Sequence, residues 1–116
     1  MIDNQFSYQN IEPSLYPAAL LRIVQIAVSA GEEILKIYNT GTTEVEHKAD
    51  DSPLTEADKR SHQIITEELH RLFPDIPILS EEGKDISYEV RQAWEMYWLV
   101  DPLDGTKEFI KRNGEF

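Results

Sequence analysis

Apolar positions recur along this chain in two rhythms, one helical and one extended. Ile23, Ile26, Ala30, Ile34 and Ile37 fall three or four residues apart, as on one face of a helix. Glu32, Glu33 and Lys36 fall on the other face. Ser14 can cap this helix and Pro17 suits its first turn. Asn39-Thr40-Gly41 then supplies a stop signal. Gly31 inside the helix costs about 1 kcal/mol relative to Ala, a cost that close helix packing would offset. A second helical stripe runs through Ile65, Leu69, Leu72 and Phe73. Thr55 opens it with Asp58 three residues on, a capping box with Asp in place of the usual Glu. Pro74-Asp75-Ile76-Pro77 closes it.

The extended rhythm is shorter. Residues 43–49 alternate weakly and predict a strand, and Asp50 to Pro53 reads as a turn. Residues 78–80 predict a second short strand. Residues 87–94 predict a short helix. Residues 96–100, Met-Tyr-Trp-Leu-Val, form a continuous apolar run with aromatic and β-branched members, as expected of a central strand. Residues 1–13 show no clear period and read as an N-terminal arm. Over 14–116 the order is helix, strand, helix, strand, helix, strand. That order predicts an α/β domain, an α+β layered arrangement of sheet and helices. Trp94 and Trp98 read as core residues, and His47, His62 and His70 lack metal-type spacing.

Composition narrows the chemistry. The chain has 116 residues, of which 22 are acidic and 11 basic, for a formal net charge of -11. Such a surface repels nucleic-acid polymers. It also repels a phosphorylated ligand, unless divalent cations neutralise some of the carboxylates. Cysteine is absent, which excludes a disulfide framework, a thiolate metal site and a cysteine nucleophile. The N-terminus lacks a basic and then apolar secretory pattern, and no apolar run is long enough to span a bilayer. These features point to the cytoplasm, with peripheral attachment to the inner membrane left open.

The position of the carboxylates decides what they are for. Asp58 starts the second helix, Glu81 and Glu82 follow the strand at 78–80, and Asp101 and Asp104 follow the run at 96–100. Strand ends at one edge of a layered α/β fold are where ligands usually bind. Pro102 restricts the backbone between the two aspartates, so that both side chains can face one point with the Leu103 carbonyl between them. Two carboxylates and a carbonyl suit a hard cation such as Mg²⁺. Gly105 and Thr106 follow at once, and successive N–H groups at the start of a helical turn can hold a phosphate. Asp-Pro-Leu-Asp-Gly alone reads as a surface turn. The buried-looking strand before it and Thr106 after it favour a site for metal-assisted phosphoester hydrolysis. Lys107, Lys111 and Arg112 follow as a small basic group.

"WLVDPLDGT", with "SEEG" and "DSPLTEAD" upstream, resembles the inositol monophosphatase superfamily of Mg²⁺-dependent, typically lithium-sensitive phosphatases. The longer set "KADDSPLTEAD", "PILSEE" and "YWLVDPLDGTKEFIKRNGEF" is most similar to its bacterial 3′(2′),5′-bisphosphate nucleotidase branch. Lys107-Glu108-Phe109 stands where the inositol branch more usually has Thr-Asn-Phe. The resemblance implies the front part of an αβαβα sandwich. It also implies hydrolysis of adenosine 3′,5′-bisphosphate to AMP and phosphate, in sulfate assimilation and nucleotide recycling, with two or three Mg²⁺ per complete site. By the same resemblance Glu81, Asp101 and the Leu103 carbonyl bind one Mg²⁺, and Asp101 and Asp104 a second. Thr106 and Asp58 orient and help deprotonate the attacking water. Glu82 supports the waters of a weaker metal, and Lys48 lies near the entrance. The Gly105 and Thr106 N–H groups hold phosphate, so that Glu81, Leu103, Asp104, Gly105 and Thr106 all border the substrate. The family's downstream half, with a further Asp ligand in a Trp-Asp segment, has no counterpart in this sequence. These residues are therefore expected to lack a complete second metal site and to be inactive alone. An inositol- or sugar-phosphate substrate, or a non-catalytic metal-binding module, remains the alternative. Oligomeric state is left open.

Overall fold

The computed structural model describes residues 11–41 and 44–116. Most of the arm expected at the N-terminus and Thr43 of the first expected strand lie outside the described residues. A short 3₁₀ turn, Pro13–Leu15, leads into helix α1, Tyr16–Tyr38. Hairpin strands β1 (Val45–His47) and β2 (Pro53–Thr55) follow, then helix α2 (Glu56–Leu72). Strand β3 (Ile78–Ser80), the one-turn helix α3 (Tyr88–Arg91), strand β4 (Trp98–Val100) and helix α4 (Thr106–Lys111) complete the order. The fold is α/β, as the patterning predicts.

Helix α1 does not use Ser14 as its cap. Ser14 lies inside the 3₁₀ turn, Leu15 occupies the cap position, and no side chain bonds there. The leading amides bond carbonyls instead, Leu15 N–H to Glu12 and Tyr16 N–H to Pro13. Pro17 sits in the first turn as expected, where its missing N–H costs nothing. Gly31 does not mark close packing, since a Cβ there would meet nothing within 4 Å.

Helix α2 starts with the capping box. Thr55 Oγ1 accepts from Asp58 N–H at 3.3 Å, and Asp58 Oδ2 accepts from Thr55 N–H at 2.8 Å. The segment 50–53, expected to be only a turn, also begins a strand. Its Pro53 opens β2, paired antiparallel to β1 with His47 opposite Pro53. Proline is tolerated there because it is the first residue of a strand in a two-stranded ribbon.

Strands β3 and β4 pair in parallel, with Ile78 opposite Trp98 and Ser80 opposite Val100. Among the described residues, the run at 96–100 is not a central strand covered on both faces. Its sole strand neighbour among the described residues is β3, and alternation sends Trp98 and Val100 to the core and Leu99 outward, 75% exposed. Ser87 caps helix α3 by accepting from the Val90 N–H, and the helix ends at Arg91, short of the expected Trp94.

Two apolar clusters position the site. One packs Ile11, Ala19, Ile26, Leu69, Leu72, Phe73 and Ile76 between α1 and α2, with Trp98 edge-on to Phe73 at 5.0 Å. Ile11, assigned to the arm from sequence, thus belongs to the core. Trp94, half-buried, instead lies tilted against exposed Tyr97, ring centres 5.6 Å apart. The second cluster joins Ile34, Ala57, Leu103 and Phe109, with Tyr38 and Phe116 against them. Burying an aromatic such as Phe109 contributes about 1.5–3 kcal/mol, and here it anchors α4 beside the start of α2.

Candidate active site

One cleft of about 250 Å³ gathers most of the residues the sequence singled out. Glu81, Asp101, Leu103, Asp104, Gly105, Thr106, Lys48 and Lys107 line it. Each arrives at the end of an element: Lys48 from the β1–β2 hairpin, Glu81 after β3, Asp101 after β4, and Thr106 at the start of α4. The last backbone rung between the strands is Glu81 N–H to the Val100 carbonyl, 3.0 Å. The two acidic positions therefore emerge side by side where the ladder stops.

That proximity has an electrostatic consequence. A hydrogen bond with Asp101 raises the Glu81 carboxyl above its ordinary 4.5, helped by burial and by the Asp101 charge, while Lys48 pulls the other way. Two carboxylates in contact need a proton or a cation between them. The donors here are carboxylate and carbonyl oxygens, so the set fits a hard divalent cation. Among the described residues, no three His, Cys, Asp or Glu side chains close on one metal-holding point. Asp101 and Asp104 share the cleft without forming such a cluster.

Asp58 does not line the cleft. It is 1% exposed and sits behind Thr106. Thr106 Oγ1 donates to Asp58 Oδ1 at 2.8 Å, and Thr55 Oγ1 donates to Asp58 Oδ2 at 2.6 Å. One carboxylate thus caps α2 and polarises the Thr106 hydroxyl. With its proton directed at Asp58, that hydroxyl keeps lone pairs to receive a hydrogen bond from the cleft.

Glu82 is also out of the cleft, its side chain 6% exposed. It accepts from Lys48 Nζ at 3.0 Å, while Glu81 lies 3.7 Å from the same ammonium. Burial works to lower the Lys48 pKa, but the Glu82 hydrogen bond and charge, with Glu81 and Asp50, outweigh it and raise it. Lys48 is therefore a fixed cation at the cleft edge.

Gly105 has φ 82°, a left-handed conformation that glycine adopts without strain. A Cβ there would also come within 3.2 Å of Phe116 Cα. The basic group after it divides. Lys107 reaches the cleft, but Arg112 stacks 4.3 Å from the Tyr38 ring centre and bonds the Tyr38 carbonyl at 2.6 Å.

Ser61 is not among the residues the sequence singles out, and His62 appears there only as a histidine without metal-type spacing. Ser61 Oγ donates to the Pro102 carbonyl at 2.6 Å, and His62 Nδ1 lies 2.8 Å from Ser80 Oγ. Their spacing of three and four residues from Asp58 was the available signal.

Residues 18–116 match the model described as the inositol monophosphatase family. The chain belongs to that family. Among relatives of this inositol monophosphatase-family chain is the 3′(2′),5′-bisphosphate nucleotidase CysQ of Salmonella typhimurium, 56% identical over 99 residues, 84% of this chain and 39% of the relative. CysQ of Haemophilus influenzae is 45% identical over 84% of this chain and 36% of its own length. The crystal structure of CysQ from Bacteroides thetaiotaomicron superposes with a TM-score of 0.68 at 47% identity, over 87% of this chain and 36% of that one. The extragenic suppressor protein suhB from Bartonella henselae superposes with a TM-score of 0.69 at 29% identity, over 82% and 36%. The chain spans under two-fifths of the length of each of these four. Among its described residues, no helix is long and apolar enough to cross a membrane.

Proposed function

We propose that this chain supplies the catalytic-edge part of a Mg²⁺-dependent phosphomonoesterase that converts adenosine 3′,5′-bisphosphate to AMP and phosphate. The observation that carries this is the Thr106–Asp58 hydrogen bond beside a cleft lined by Glu81, Asp101 and Asp104. The likeness to bisphosphate nucleotidases supports the choice of substrate.

Glu81, Asp101, Asp104 and the Leu103 carbonyl would hold Mg²⁺, with Asp101 common to two positions. Bound Mg²⁺ supplies positive charge that offsets both the carboxylates and the substrate phosphate. Thr106 Oγ1 accepts a hydrogen bond from a water while giving its own proton toward Asp58. The water oxygen is then turned toward phosphorus for in-line attack. As the new P–O bond forms and the 3′ ester bond breaks, the water's proton passes to Thr106 and the threonine proton to Asp58, while the departing 3′ oxygen takes a proton from solvent to become the 3′-hydroxyl of AMP. Gly105 and Thr106 N–H groups face the phosphate at the first turn of α4. Glu82 holds Lys48 at the cleft edge. The enzyme is a cytoplasmic protein in this proposal.

The test is a chimera in which this chain replaces the matching segment of the Salmonella nucleotidase. It is expected to release phosphate from adenosine 3′,5′-bisphosphate with Mg²⁺ and to prefer it over inositol 1-phosphate. Preference for the inositol substrate would overturn the substrate assignment. No Mg²⁺-dependent release from either, in a folded chimera, would leave the segment as a metal-binding module only.

A further inference from the structure

Asp58, Ser61 and His62 stand at i, i+3 and i+4 on α2, so they share one helix face. Each grips a different wall of the cleft. Asp58 holds Thr106 of α4, Ser61 holds the Pro102 carbonyl, and His62 holds the Ser80 hydroxyl. Ser80 immediately precedes Glu81, and Pro102 stands between Asp101 and Leu103. Glu81, Asp101 and Leu103 are therefore each one residue along the chain from a group that α2 fixes, although α2 contributes no ligand itself.

The strands cannot do this alone. Their pairing ends at Ser80 opposite Val100, with one further rung at Glu81 N–H. Beyond that rung the segments run on into Glu81 and Asp101, whose side chains are both acidic and offer no backbone rung to hold the spacing. Pro102 has no N–H with which to extend the ladder. Its carbonyl needs a partner, because a buried unpaired carbonyl is costly. Ser61 provides that partner from a side chain that is 0% exposed, and a short buried hydroxyl permits few geometries. His62 does the same for the other segment, from a half-buried position.

We propose that Ser61 and His62 are positioning residues which, on the divalent-site reading above, set the spacing of Glu81 against Asp101 and Leu103. The α2 face acts as a template: it takes over where the strand hydrogen bonds stop. A purely structural role would lower the unfolding temperature of a variant and leave the cation affinity of the folded chain unchanged.

The experiment measures Mn²⁺ binding to this chain by electron paramagnetic resonance, with far-UV circular dichroism at the same temperature to show the folded state. Ser61→Ala and His62→Ala are each expected to weaken Mn²⁺ binding by about ten-fold or more with the helical signal retained. His62→Gln, which keeps a hydrogen-bonding group toward Ser80, is expected to recover most of the loss. If Ser61→Ala is unfolded, the His62→Ala and His62→Gln pair decides the matter. Unchanged Mn²⁺ affinity in folded His62→Ala, while Asp101→Asn still weakens binding, overturns the positioning role and leaves the divalent site standing. Unchanged affinity in Asp101→Asn overturns the divalent site itself, and the positioning role with it.

Discussion

Asp101→Asn, placed in the Salmonella chimera, should reduce Mg²⁺-dependent phosphate release by on the order of 10³-fold, because cation charge at a transferring phosphate is worth several kcal/mol. Asp101 is the carboxylate shared between both proposed cation positions, and it lines the cleft with Glu81, whose carboxyl it pushes up. Asparagine keeps its shape and loses its charge. The fold should persist, since Asp101 is exposed and supplies no core packing. Without cation, the Asn variant should be marginally more stable than its parent, because the Glu81 carboxylate loses a repelling neighbour. Steady-state rates and a urea titration measured on the same sample check both halves. Retained activity would remove Asp101 from the site.

Thr106 and Asp58 should separate in their effects although they touch. Thr106→Val keeps the shape and removes the hydroxyl. It should lower kcat by about 10²–10³-fold, within the range for a lost proton-transfer group, and cost about 1–3 kcal/mol of stability, because the buried Asp58 Oδ1 loses its donor. Asp58→Ala should lose as much activity and also destabilise the fold by about 2–4 kcal/mol. It removes the α2 cap and leaves the Thr55 N–H without its buried acceptor. Undiminished kcat in folded Thr106→Val would show that the pair serves the fold alone.

The contrast between these residues shows what the sequence could tell. The Thr55–Asp58 box is legible because capping is local and its partners lie three residues apart. That Asp58 also serves Thr106 is not local, since the two are 48 residues apart and only the folded chain joins them. The family resemblance placed them together; spacing alone left Asp58 as a cap. Glu81, Asp101 and Asp104 were legible as ends of apolar runs, and the cleft gathers all three. Glu82 was assigned to the water network, but the fold buries it against Lys48, a pairing across 34 residues that no local pattern encodes.

The structural misses have similar causes. Strand β2 begins with a proline inside a turn-rich segment, so its pairing with β1 outweighs its local signal. Leu99 reads as buried because apolar runs usually are, yet burial on both faces requires neighbours on both faces. Ser61 and His62 look like solvated polar positions on an amphipathic helix. They matter because that face of α2 meets the ends of β3 and β4 rather than water.

The most direct test of the central claim is anomalous diffraction from crystals of this chain grown with Mn²⁺. An anomalous peak is expected between the Glu81 and Asp101 carboxylates, with the Leu103 carbonyl also within about 2–2.5 Å of the ion. A peak elsewhere, with none in the cleft at saturating Mn²⁺, would contradict that claim.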